Sequence, residues 1–93
     1  MDYRDALIDW DDPEDEGGNT AHVAEHSLTP DEVDFAFFDA NTTFDVSASS
    51  GRPIAFGMTA TGRFIAIVFE ISNPADPLIL RPITAYDVPE PTE

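Results

Sequence analysis

The sequence predicts an α+β fold. A short N-terminal strand leads into two helices, which pack on one face of a three- to four-stranded antiparallel meander. Three observations carry this reading. A capped helix start stands at Thr29-Pro30-Asp31-Glu32. Beyond residue 41 the apolar residues change from helical spacing to alternation and short runs. Turn signals built on Gly and Pro separate those runs. At 93 residues the chain suits one domain, with a core over about 7–87. A chain of this size buries roughly 60–65% of its unfolded surface, so the core is one modest layer between helices and sheet.

The elements follow in order. Ala6-Leu7-Ile8 with Trp10 forms a short apolar patch that reads as one strand. Residues 11–18 (DDPEDEGG) read as a mobile acidic loop or a frayed helical turn. Asn19 is the expected N-cap of a first, short helix carrying Ala21, Val23 and Ala24 into Glu25-His26. Thr29 caps the second helix, Pro30 fits its first position, and Glu32 completes a capping box. Val33, Ala36 and Phe37 make its apolar stripe, and Leu28 stands where a hydrophobic staple would. The helix is expected to end near residues 39–41. Strands are then expected at 43–47, 53–60, 63–72 and 78–86. The third of these (RFIAIVFEIS) is the most apolar and reads as a central strand buried on both faces. The last is placed near an edge, because Pro82 has no N–H for a ladder. Residues 88–93 read as a proline-rich, acidic, disordered tail.

Charge is the unusual feature. Nineteen acids face four arginines, with no lysine. Eight of those acids lie in the first sixteen residues, with Arg4 the one base among them. Such a field repels nucleic-acid backbones at low salt and favours a basic partner or a small molecule. An acidic, lysine-free surface also suits a protein living in dense salt, which screens the repulsion. There is no cysteine, hence neither a disulfide nor thiolate chemistry. No positively charged start precedes an apolar stretch, and no apolar run approaches the roughly 20 residues of a membrane span. The cytoplasm is the expected compartment.

Few residue patterns carry chemistry. His22-Val23-Ala24-Glu25-His26 spells H-x-x-E-H, which on a long helix would put two histidines on one face for a metal, with a carboxylate beside them. A catalytic zinc needs three protein ligands and an open position, which a short helix does not supply by itself. Neither a metal nor another cofactor is expected. The arginines are informative because they are so few. Arg63 follows the Thr61-Gly62 turn, Arg81 lies on the final strand, and Arg52 lies beside an earlier turn, near Asp45. Each arginine is able to anchor a neighbouring carboxylate. Alternatively, Arg63 and Arg81 meet on the open sheet face and bind an anion. Tyr86 and Tyr3 are candidate weak acids or stacking platforms, or packing residues. There is no phosphate-binding glycine loop and no serine or cysteine catalytic motif.

Taken together, several of these strings have a familiar layout. Ile8-Asp9-Trp10-Asp11 is followed by Asn19-x-x-His22-x-x-Glu25-His26 and by Leu28-Thr29-Pro30-Asp31-Glu32-Val33. Then come Gly57-x-Thr59-x-Thr61-Gly62-Arg63 and Arg81-Pro82-Ile83-Thr84-Ala85-Tyr86. Over roughly residues 7–86 this resembles the BrnT family of type II toxins. The resemblance implies a RelE-like compact fold, metal-independent RNA cleavage and neutralisation by a ribbon-helix-helix antitoxin. It assigns His26 to the family's helix-end histidine and Arg63 to its hairpin arginine. Glu25 stands where the family has a lysine, and Tyr86 where it has an arginine. The acidic residues 88–93 replace a C-terminal helix that bears further cations. Removing one donor that stabilises developing charge costs about a hundredfold in rate. The expectation is therefore a BrnT-like binding or regulatory module that is not an efficient ribonuclease, with a basic or antitoxin-like protein partner. The alternatives are a toxin ribonuclease adapted to high salt and, further off, a metal-dependent hydrolase built on His22, Glu25 and His26. Oligomeric state is not legible.

Overall fold

A computed structural model of the chain describes residues 3–90. A single 3-10 turn, Tyr3–Asp5, precedes β1 (Leu7–Ile8). Two helices follow, α1 (Asn19–Ala24) and α2 (Pro30–Phe38). Four strands complete the fold: β2 (Thr43–Val46), β3 (Pro53–Met58), β4 (Phe64–Asn73) and β5 (Ile79–Asp87). The strands form one sheet in the order β1-β5-β4-β3-β2. The α+β class, the helix pair and the β2–β5 meander are as expected from sequence. The sheet has five strands rather than three or four, and it is mixed, because β1 joins beside β5 in parallel. The N-terminal strand itself was expected, but two residues carry no periodicity that would say which strand it joins.

Successive side chains on a strand point to opposite faces, and the alternation here sorts two clusters. Ala55, Ile65, Ile67, Phe69, Leu80 and Ala85 face the helices, meeting Val23, Leu28, Val33, Ala36 and Phe37. Ile54, Ala66 and Val68 form a smaller cluster on the other face, with Phe56, Tyr86 and Val88 packed on it. Five consecutive β4 residues, Ile65 to Phe69, are thus buried on both faces. Arg63 and β4 follow a turn in which Gly62 adopts φ 89°, a backbone region that side chains disfavour.

The second helix begins as its sequence dictates. Thr29 Oγ1 accepts the Glu32 N–H at 3.2 Å, and Glu32 Oε1 accepts the Thr29 N–H at 3.1 Å. Leu28 and Val33, the two staple positions, are both in the core. The helix passes very close to β3. A Cβ built on Gly57 would overlap the Ala36 carbonyl and Thr42 Oγ1, and that hydroxyl donates to the same carbonyl.

Two local expectations change and a third is sharpened. Gly18, not Asn19, is the N-cap of α1; Asn19 is the first helical residue because its side chain is used elsewhere. Strand β5 lies near an edge as expected but is not the edge strand itself: β1 covers its outer side as far as Leu80, and no strand among the described residues pairs on that side beyond it. Pro82 is tolerated there because it lies opposite Phe69 at a register shift, where the ladder is already interrupted. Val88 belongs to the fold rather than to a tail: its N–H donates to the Phe64 carbonyl at 3.0 Å. Of the expected tail, residues 91–93 lie outside the described residues. No helix among the described residues is long and apolar enough to cross a membrane.

Candidate functional site

The singled-out side chains fall at two ends of β5. At one end Arg63, leaving the β3–β4 turn, reaches the exit of α1. Its Nη1 donates to the Ser27 carbonyl at 2.6 Å and its Nη2 to the His26 carbonyl at 2.8 Å. The same guanidinium grips Asp87 in a bidentate pair, Nε to Oδ1 at 2.9 Å and Nη2 to Oδ2 at 2.7 Å. Carbonyls at a helix C-terminus carry partial negative charge, so a guanidinium there is favourable. Asp87 is held below the usual carboxylate range by its hydrogen bonds from Arg63. The pair is half open to solvent, with Arg63 28% and Asp87 58% exposed, so it fixes geometry more than it stabilises. The His26 and Tyr86 rings lie 6.2 Å apart at this end.

The other end is a polar knot built on Asn19, a residue 2% exposed. Its Nδ2 donates to the Asp9 and Pro82 carbonyls, both at 2.9 Å. Its Oδ1 accepts the Asp11 N–H at 2.8 Å, and its own N–H donates to Asp11 Oδ2 at 2.9 Å. Thr20 Oγ1 closes the ring on the Asp11 carbonyl. Asp11 thus caps α1 from outside the helix, replacing the side-chain cap that Gly18 lacks. Arg81 completes the knot with two bonds to Asp11, at 2.8 and 2.5 Å, and a longer approach of 3.7 Å to Asp9. The Arg81 guanidinium, with the Asn19 N–H, brings Asp11 down to about 2. No buried polar side-chain atom among the described residues is left unpartnered.

Arg63 and Arg81 therefore do not meet. Arg63 sits beside Asp87, six residues along β5 from Arg81, which is roughly 20 Å of strand. Each is spent on a carboxylate, the anchoring role that sequence allowed. Arg52 is exposed and forms no ion pair with Asp45; that carboxylate accepts the Val46 N–H instead.

The H-x-x-E-H string is split by the end of α1. His22 lies within the helix, with Nδ1 3.3 Å from the Ile83 carbonyl, while Glu25 is the C-cap. His26 follows in a tighter turn, its N–H donating to the Val23 carbonyl at 3.0 Å, and Ser27 at φ 59° ends the winding with a left-handed residue. Among the described residues no three His, Asp or Glu side chains converge as metal ligands would.

Sequence reasoning missed a third feature, the outward face of α2. Phe35 and Phe38 are 51% and 40% exposed, beside Asp31, Asp34 and Asp39 in an open groove. Asp34 accepts the Trp10 indole N–H at 2.9 Å, and burial pushes its carboxyl upward. Aromatic residues on both faces of one nine-residue helix were the available signal. They blur the amphipathic contrast that makes a core stripe easy to see.

The chain matches no protein-family model, and no curated protein matches it.

Proposed function

We propose that this protein is a divergent BrnT-like domain that binds a basic partner and does not cut RNA efficiently. One observation carries the reading: the two arginines best placed by sequence to meet a phosphate are both engaged with carboxylates, at opposite ends of β5. RNA cleavage needs several donors around one scissile group, and each missing donor costs about a hundredfold. The excess of acids opposes an RNA backbone at low salt and attracts cationic proteins. A module of this kind would work in the cytoplasm. The BrnT-like assignment rests on the order of motifs, with the helix exit at His26 and the arginine that follows the glycine hairpin.

The test is an RNA-cleavage assay at low and at molar salt. The expected result is no cleavage above buffer in either condition. Robust cutting that disappears in His26→Ala or Arg63→Ala would overturn the proposal.

A second reading, a toxin ribonuclease adapted to high salt, is favoured by one observation. The His26 and Tyr86 rings stand 6.2 Å apart at the end of the sheet where Arg63 is anchored. An imidazole and a phenol so placed are candidates for acid–base work on a phosphodiester. That reading predicts growth arrest on expression and a neighbouring gene for a small DNA-binding antitoxin.

A further inference from the structure

The outward face of α2 is built unlike the rest of the surface. Asp31, Asp34, Phe35 and Phe38 fall at positions i, i+3, i+4 and i+7, so they form one stripe along the helix. The opposite stripe, Val33, Ala36 and Phe37, is already buried in the core. Two large aromatic side chains are thus left open on a helix whose core contacts are complete. From Asp31 to Asp39 the helix and its C-cap carry four acids and no base. Asp39 stands at the negative end of the helix dipole, and the last turn has no basic residue to offset it. Asp34 is fixed in place by Trp10, so its carboxylate is preorganised.

We propose that this face docks a basic, amphipathic segment of another protein. The segment's cations would meet Asp31, Asp34 and Asp39, and its apolar side chains would sit between Phe35 and Phe38. The proposal deepens the binding-module reading and rests on it. Charge chooses the occupant. This chain has no lysine, and its Arg63 and Arg81 are engaged in ion pairs. A second copy, at −15 formal charge, is repelled rather than drawn in. Guanidinium groups suit the groove doubly, since they pair with carboxylates and stack on aromatic rings. A second open apolar surface, over Thr43, Phe56, Phe64, Val88 and Pro89, is lined by no ionisable side chain and so selects no charge.

Fluorescence anisotropy tests this with a labelled amphipathic peptide bearing arginine on one helical face and leucine on the other. The intact protein is expected to bind it. Affinity is expected to fall about tenfold or more in Phe35→Ser with Phe38→Ser, and in Asp31→Asn with Asp39→Asn. Equal affinity in the Phe variant, or equal binding of a leucine-free arginine peptide, would reduce the effect to diffuse attraction and overturn the proposal. So would absence of binding, or a preference for RNA at this face. Phe38 also touches Phe37, with ring centroids 5.1 Å apart, so the double variant is paired with a measurement on unaltered protein. Backbone amide shifts on adding the peptide are expected to cluster at residues 31–39. Shifts centred on Phe56, Phe64 and Val88 would overturn the assignment. The RNA-cleavage assay separates the two claims. Cutting with peptide docked on α2 removes only the claim of lost activity, and no cutting with no docking removes only this one.

Discussion

Asp11 has three tasks at once. It pairs with Arg81, it caps the first turn of α1 by accepting the Asn19 N–H on its carboxylate, and its own backbone N–H donates to Asn19 Oδ1. Its carboxyl is held near 2 in the fold, against 3.8 ordinarily. A carboxylate whose folded value is depressed contributes stability above its unfolded value and loses that contribution as pH falls through the folded one. The Asp11 contribution is therefore complete at neutral pH and disappears between roughly pH 4 and pH 2. Asp87, also lowered, acts in the same sense. Asp34, raised by burial, acts in the opposite sense and offsets part of the loss. Comparing urea unfolding of the protein with that of Asp11→Asn isolates the effect. The stability difference is expected to be constant from pH 7 to about 5 and to shrink steadily below 4. A difference that stays constant down to pH 2 would contradict the pairing. The same residue also marks what sequence reasoning could not see. Asp11 read as the start of an acidic loop, since nothing local distinguishes it from Asp12 or Asp15. Its role comes from Arg81, seventy positions away.

At the level of elements, the contact of α2 with β3 sets the thickness of the core. Gly57 is required there not for its backbone angles but for the absence of a side chain, because the Ala36 carbonyl occupies the place of a Cβ. Gly57→Ala is expected to cost about 1–3 kcal/mol, the range for forcing a methyl into a filled site, read as a lowered urea midpoint with unchanged slope. An unchanged midpoint would mean that α2 is free to move away from the sheet. Much at this scale was legible. The capping box, the staple residue and the buried central strand depend on neighbours within a few positions, and local chemistry decides them. The N-cap of α1 and the pairing of β1 with β5 were not legible. Each depends on β1 or on the polar knot, contacts made by residues distant in the chain.

Over the whole molecule, repulsion is the dominant electrostatic term. Among the described residues the ion-pair contacts of Arg63 and Arg81, all partly exposed, stand against a formal charge of −15. Exposed pairs contribute at most about 1 kcal/mol each. The molecule measures 36 × 30 × 26 Å. At about 0.01 M salt the screening length of roughly 30 Å spans it, whereas near 1 M the length is about 3 Å and only immediate neighbours interact. Added salt therefore relieves more repulsion than it weakens attraction. The melting temperature is expected to rise over that range, by roughly 4–8 °C for each kcal/mol relieved. A Tm that falls with salt would show that the pairs outweigh the net charge. High-salt adaptation and attraction to basic partners both draw on this same field, and the melt measures it independently of either.

By itself the sequence determined the class of fold, the second helix with its cap, the buried strand and the excess of negative charge. Each of these follows from local spacing or from simple composition. Only the tertiary structure decided where the few cations go. Arg63, just before β4, and Arg81, on β5, serve opposite ends of β5, because one holds the exit of α1 and the other its entrance. It also left Phe35 and Phe38 open among acids. Which face of a helix is covered depends on the sheet beneath it, and a helix with aromatics on both sides does not reveal in advance which side the sheet will take.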